Sequence, residues 1–539
     1  MRNQVFAGCI VLLCLPAIGY SQPKDANAAI EKLRDPNPTV RQQAVDALAK
    51  MGVPAIEPLI TARRNAGGRN ARYVIEGIAQ ALRQMGPPAV EYLTSRLQDK
   101  DVTRRRDAAF ALGSMGPPAL DPVVAVLNDK RKASYVRQEA IHALSKMGAL
   151  AAPSLLAAFQ DRTDDAEVRS LSAAYLLEVG YDPAEGSLLA VARDGTENPT
   201  VRRMAIRSLV NELAPRGNRP TRMTDAQAEE VRDILIAAMS SRDTEVRQEA
   251  TYAQRLVKDP RAIERLIAAL NDKDKGVQWR AVEALGEIND ERAVEPLIAL
   301  LRQKPDPNIE RRFKAASRQI EERLNKGEGP VTITRSAHPE FFEAEAAHNE
   351  AVAVRARAVE ALGKIKDPRA VQPLFAILGD PYIQKATASA LAKIDEPHVF
   401  DLLVAALKAT DDYKDRQITY ENGMKVARLT QRAQEQRRVR AGAVIALGEM
   451  KDPRIVEPLL AALKDEDIDV RRNAVAGLRK AKDARAAEAL VARLKDSDSG
   501  ADYCVQEQAR QALIELKGER VVDLLVAAQH FFGIGLAAQ

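Results

Sequence analysis

Cysteine is almost missing from this chain of 539 residues. Of three copies, Cys9 and Cys14 lie within the first twenty-one residues and Cys504 alone lies beyond them. Once that leading segment is removed, no intramolecular disulfide can form. No Cys-x-x-Cys-His haem attachment and no multi-cysteine zinc site exists either. Cys504, in YCVQEQARQAL at the start of an apolar stripe, is expected to act as a small buried hydrophobe. Aromatic residues make up only 4% against 46% apolar residues overall, so the core is one of Ala, Val and Leu. Such a core suits thin, closely stacked helices better than a roomy ligand cavity. An excess of one charge sign is also lacking: 80 Lys and Arg face 75 Asp and Glu, for a net +5. That near balance counts against a nucleic-acid binder. Catalytic signatures are absent, with no P-loop, dinucleotide fingerprint, G-x-S-x-G elbow or H-E-x-x-H helix.

What the chain does have is one phrase repeated from end to end. Val40-Arg41 opens QQAVDALAKMG, Val136-Arg137 opens QEAIHALSKMG, Val277 precedes QWRAVEALGEI, and Val439-Arg440 opens AGAVIALGEM. Within Asp465 to Asp496, apolar residues at Val470, Ala474, Val475 and Leu478 mark one helix face. Ala486, Leu490, Val491 and Leu494 mark a second. Short connectors such as Lys451-Asp452-Pro453-Arg454 join the two, with proline where a helix start leaves its missing N–H unneeded. Each copy therefore predicts a helical hairpin. Val246 to Val277 and Val439 to Val470 are each thirty-one residues apart, which is short for a forty-residue helical repeat.

The D-x-x-V-R-x-x-A-x-x-A-L-G-x-x-x-D-P-R-A-V-x-P-L pattern resembles the short HEAT repeats named after the phycobilisome bilin lyases. The resemblance covers nearly the whole chain after residue 26. It implies an all-α fold, an α-solenoid of about thirteen HEAT-like hairpins, and says little about function because sites are grafted onto such scaffolds. It brings no catalytic motif that can be placed residue by residue here. Deoxyhypusine hydroxylase, another HEAT family, holds two irons with His-Glu dipeptides. The residues following the five histidines here are Ala143, Pro339, Asn349, Val399 and Phe531, so that activity is not supported.

In chain order, Met1 to Ser21 has a positive start at Arg2, an apolar run from Val5 to Ile18 and small residues before Gln22. This layout predicts a secretory signal peptide cleaved near Ser21, the run being short of the ~20 residues a membrane span needs. Residues 22–302 read as repeats, interrupted by a polar insert from Pro215 to Glu230. Residues 303–350 read as a decayed unit plus an insert, in which Val331 to Thr334 have strand character. Repeats resume over 351–408 and again over 438–539. The segment 409–437 between them contains a second insert, with Asn422-Gly423 between the strand-like runs Gln417–Tyr420 and Met424–Val426. Asn-Gly is the strongest short hairpin signal because both residues accept positive φ.

Arginine recurs directly after the repeat valine, at Arg41, Arg137, Arg169, Arg202, Arg247, Arg355, Arg440 and Arg471. An Asp often stands a few residues earlier, so the column is expected to be a structural ladder between neighbouring units. The only local set of potential metal ligands is His338, Glu340, Glu343, Glu345 and His348, and a solvated helix face explains it as well. Two Glu-x-x-His pairs exist, Glu139 with His142 and Glu345 with His348, about six units apart in sequence. They are too far separated to share a metal, and no cofactor or metal is expected. The reading is an exported, monomeric, non-catalytic scaffold for a protein or peptide partner. Candidate partner-binding residues are Val331, Ile333, Ile418, Tyr420, Met424 and Val426 in the two inserts. A bilin lyase-like or other cofactor-handling activity is the alternative, and nucleic-acid binding through Arg104-Arg105-Arg106 the third.

Overall fold

Asp or Asn directly before the first helical turn, accepting an N–H two or three residues on, decides where most first helices begin. Asp243, Asp274 and Asp467 accept the backbone N–H of Val246, Val277 and Val470, and Asn37 and Asp101 accept those of Thr39 and Thr103. Each satisfies an N–H that the helix itself leaves unpaired. The structure, a computed structural model, describes residues 23–68, 70–179, 181–214, 223–303, 307–325, 339–408, 416–421, 424–494, 502–516 and 523–524. Apart from one β-hairpin, its regular elements are helices.

The described residues divide into two compact units, one ending at Ile234 and the other beginning at Leu235, within helix Asp225–Ala238. In the first, the pairs Ala71–Met85 with Pro87–Arg96 and Val102–Met115 with Pro117–Asn128 typify the hairpin. The chain turns between such helices on a glycine: Gly86 has φ 67° and ψ −145°, a region closed to any residue with a Cβ, and Gly52 and Gly116 repeat it. The second unit turns differently. Lys258, Asn289, Lys366 and Lys482 take φ between 53° and 60°, and in Lys258, Asn289 and Lys482 ψ places them in the left-handed helical region that non-glycine residues enter at modest cost. An Asp then caps a short 3₁₀ turn, as at Pro260–Ala262, Pro368–Ala370 and Pro453–Ile455.

The core follows the sequence stripes. Val136, Ala140, Ile141, Ala143 and Leu144 of one first helix are buried, as are Leu155 and Phe159 of the second helix that follows. Each buried Leu or Ile contributes roughly 1.5 to 3 kcal/mol, so every unit depends on the neighbours that cover it. Small residues let successive first helices approach closely. Helices Gln431–Glu449 and Ile468–Ala481 meet at Gly448 and Gly477, where a Cβ on Gly448 would stand 2.8 Å from the Gly477 Cα.

Both irregular stretches interrupt the second unit. Helix Pro307–Asn325 packs on the long helix Pro339–Ile365, while Val331 to Thr334 lie outside the described residues. The hairpin pairs Arg416–Glu421 with Met424–Leu429, in the register Glu421↔Met424, Thr419↔Val426 and Gln417↔Arg428. Thr430 then caps helix Gln431–Glu449 by accepting the Ala433 N–H. The polar insert from Pro215 to Glu230 differs from the sequence reading: helix Asp225–Ala238 already begins within it, with Ala228, Val231, Ile234 and Leu235 buried.

Candidate functional site

The arginine column is engaged within the scaffold. Arg137 Nε donates to the Leu127 carbonyl (2.6 Å) at the end of the preceding second helix. Its two Nη atoms fork onto Asp164 at 2.6 and 2.5 Å, in the loop before the next unit's first helix, Ala166–Val179. Both side chains are only 4% exposed, so the pair is desolvated. Burial works against the Asp164 carboxylate, yet the Arg137 fork and the Asp165 N–H leave it below the usual carboxylate range. Arg169 repeats the arrangement, with the Phe159 carbonyl at 3.0 Å and both Glu197 oxygens at 2.8 Å. Arg247 forks onto Asp272, and Arg355 and Arg440 reach Asp380 and Asp465 at 2.8 and 2.9 Å. Arg202 holds the Ala192 carbonyl.

Arg41 departs from this pattern. It binds the Asp35 and Pro36 carbonyls of its own loop and lies 4.2 Å over the Tyr73 ring. The loop that follows its hairpin, Asn65 to Asn70, offers no carboxylate. Arg471 likewise donates to the Asp465 and Glu466 carbonyls. Glutamine takes over at two positions where the column lacks arginine: Gln278 and Gln384 donate to the Asp272 and Leu378 carbonyls.

A second arginine column escaped the sequence reading, which took the Asp-Pro-Arg phrase as a connector. Arg261, Arg292, Arg369, Arg454 and Arg485 each fold back onto the Asp two residues earlier, at 2.6 to 2.8 Å. The guanidinium forks hold Asp290, Asp367, Asp452 and Asp483 below the ordinary carboxylate range. Some also reach the unit before: Arg485 lies 3.3 Å from Glu457, and Arg454 stacks 4.3 Å over Phe400. The signal that could have found them is the recurrence of Asp-x-Arg itself, since a carboxylate and a guanidinium two residues apart across a tight turn can fork.

Two further rows tie three first helices of the second unit together. Glu283 takes Arg255 from one side and Arg357 from the other, at 3.1 and 3.3 Å. Glu287 takes Lys258 and Lys364 at 2.9 and 2.6 Å, and these two ammonium groups pull its carboxyl down to about 2. Trp279 lies under Arg357 at 5.0 Å.

The hairpin register places the candidate partner-binding residues of the second insert on its two strands. Ile418 and Tyr420 pair across the hairpin with Ala427 and Lys425, whereas Val426 and Met424 pair with Thr419 and Glu421. Val331 and Ile333 lie outside the described residues, as does His338. Among the described residues, no group of three His, Cys, Asp or Glu is placed to hold a metal ion. His348 is buried and stacks on Phe313 at 4.5 Å, with Tyr382 edge-on at 4.6 Å. His142 Nδ1 lies 2.8 Å from the Tyr175 hydroxyl, and burial, then the Arg106 and Lys146 charges, push its pKa down. Glu139, one turn away, is pushed up by burial. In the first unit a groove of about 470 Å³ opens between two second helices, lined by Pro87, Val90, Glu91, Thr94, Pro118 and Pro122. No helix among the described residues is long and apolar enough to cross a membrane.

Stacked two-helix units clasped to their neighbours by buried arginines define an α-solenoid repeat protein. The family model for HEAT repeats matches residues 26–112, 90–177, 231–317, 340–422 and 426–514, and the chain belongs to the HEAT-repeat family. Solved structures resemble the chain at low identity. Importin beta is 14% identical with a TM-score of 0.45, covering 93% of this chain and 64% of its own. Kap95p in complex with RanGDP is also 14% identical, with a TM-score of 0.43, covering 95% of this chain and 74% of that one. The CpcE–CpcF phycocyanin lyase of Nostoc sp. PCC7120 is 20% identical with a TM-score of 0.25, over 58% of this chain and 97% of that one. No curated protein matches in sequence.

Proposed function

We propose that this protein is an exported, non-catalytic scaffold that holds a protein or peptide partner, with the hairpin insert at 409–437 as its distinctive contact. The observation that carries this reading is where the charged side chains are spent. Both arginine columns and the glutamate rows bind other groups of the scaffold, so the repeats maintain themselves. The hairpin departs from the repeat, and insertions between repeats commonly fall on a binding face. Export is supported by the charged start and apolar run of Met1 to Ser21.

Two experiments test the reading. Replacing Gln417 to Val426 with a Gly-Ser linker should keep helical circular dichroism and thermal unfolding while reducing partner capture from an envelope extract. Unchanged capture by the folded variant removes the insert from the site. Leu12→Arg with Leu13→Arg should retain the protein inside the cell. A wild-type protein that stays cytosolic with Met1 intact refutes export.

A further inference from the structure

We infer that Arg280, with the rings of Tyr252 and Trp279 beside it, takes an acidic side chain of a peptide partner on the face of three first helices in the second unit. This goes beyond the reading of the insert as the contact and does not rest on it. Helices Thr244–Val257, Lys275–Ile288 and Pro339–Ile365 pack side by side in that order. Arg280 and Arg357 hold the same place in the repeat, three residues after Val277 and Val354. Tyr252 and Glu283 hold another, six residues after Val246 and Val277. Across the helices these two places face each other. Arg357 meets Glu283 at 3.3 Å, whereas Arg280 lies 5.6 Å from the centre of the Tyr252 ring, so a phenol stands where the neighbouring arginine has a carboxylate.

The result is a cation without a counter-ion. Among the described residues no carboxylate lies within ion-pair distance of Arg280. One of its Nη atoms is 3.5 Å from Gln248 Oε1, beyond a normal hydrogen bond, and its Nε is buried with no partner. Glu283 is already shared by Arg255 and Arg357, and Glu249, one turn before Tyr252, is buried and engaged elsewhere. A half-buried charge left in this state is costly, and a group that answers it from outside gains what the scaffold does not supply.

The surroundings select the occupant. Trp279 lies 5.9 Å from the Arg280 guanidinium and 5.0 Å from that of Arg357, and Tyr252, Trp279 and Arg280 are each half-buried. A carboxylate can fork onto Arg280 while the two rings receive the apolar residue beside it in the same segment. Neighbouring helices stand about 8 to 10 Å apart, and an extended peptide crosses that gap in about three residues. Glu283, Glu287 and Glu360 flank the rings and would repel a continuous chain of phosphates, which favours a peptide with spaced acidic residues over a nucleic acid.

Trp279 is the only tryptophan in the chain, so its emission reports on the site directly. The full-length protein is titrated with an acetylated ten-residue peptide alternating Glu and Leu. Expected results are a saturable change in Trp279 emission and an affinity about tenfold lower in Arg280→Gln. Because that substitution removes an unanswered cation, its thermal unfolding should match or exceed that of the wild type. Arg104→Gln, at an exposed position of the first unit, should bind as the wild type does. Absence of a saturable change, or full affinity in Arg280→Gln, overturns the assignment. So does a lower melting temperature in Arg280→Gln, since the arginine would then be structural. Equal binding of the peptide with Lys in place of Glu, or displacement by inorganic phosphate at the peptide's own concentration, also overturns it. Tighter binding of a single-stranded RNA oligomer does the same, as does a dimer in sedimentation equilibrium that Arg280→Gln dissolves. Replacing Gln417 to Val426 with the Gly-Ser linker should leave this titration unchanged, which separates failure here from failure of the insert as the contact. Loss of peptide binding in that variant would move the site to the insert and overturn the role of Arg280.

Discussion

Gly448→Ala tests whether the closeness of successive first helices limits stability. The new Cβ would stand 2.8 Å from the Cα of Gly477, and 3.6 Å or so is the shortest comfortable carbon–carbon approach. Backbone lies on the far side, so no rotamer change relieves the clash, and the two helices must part by about 0.8 Å. Overpacking of this kind costs about 1 to 3 kcal/mol. Alanine returns up to about 1 kcal/mol because it is the better helix former. The net expectation is a loss of about 1 kcal/mol, with hydrogen exchange accelerated in 431–449 and 468–481 and unchanged in distant repeats. Gly186→Ala provides the matched control: it lies in helix Pro183–Arg193, is exposed, and has nothing within 4 Å of its Cβ position. There the propensity gain stands alone and stability should rise. Equal stabilisation by both substitutions would refute the argument from close approach.

Other substitutions address other parts of the scaffold. Ala474→Leu fills a fully buried position and should cost about 1 to 3 kcal/mol, measured by urea unfolding, with damage confined to neighbouring units by hydrogen exchange. Arg137→Met strands a buried Asp164 and should cost about 3 to 5 kcal/mol, while Arg137→Met with Asp164→Leu should recover most of it in the same assay. Lys482→Gly relieves a left-handed residue and should gain up to about 1 kcal/mol, whereas Gly86→Ala, at φ 67° and ψ −145°, should lose more than that in thermal melts. Because the Glu287 carboxyl is depressed to about 2, its stabilisation is fully present above the unfolded value near pH 4.5 and is lost as pH falls toward 2. Urea titrations of wild type and Glu287→Gln should therefore converge at about pH 2 and diverge by pH 6.

Much of the fold is legible because its determinants are local and repeat. Val470, Ala474, Val475 and Leu478 define a helix face by spacing alone, and Asn422-Gly423 marks a hairpin whose paired residues run from Arg416 to Leu429. The start of helix Asp225–Ala238 is hidden because Asp225, Gln227, Glu229 and Glu230 look like loop, while most of its buried stripe, Val231, Ile234 and Leu235, comes only after them. The fate of each column arginine was also hidden, since it depends on the next loop: Asp164 is there for Arg137, and nothing comparable follows Arg41. The surroundings of His348 are farther still from the sequence, because its ring partners Phe313 and Tyr382 stand 35 residues before it and 34 after it.

The forward direction of the arginine clasp gives the scaffold a polarity. In every pair from Arg137–Asp164 to Arg440–Asp465 the earlier hairpin supplies the cation and the later one the anion, never the reverse. A block of hairpins cut out of either unit would carry an unanswered guanidinium at its trailing end and an unanswered carboxylate at its leading end. Those two ends are complementary to each other and not to themselves, which is the geometry of head-to-tail growth, not of closed two-fold pairing. Fragments cut from either unit are thus disposed to associate head to tail.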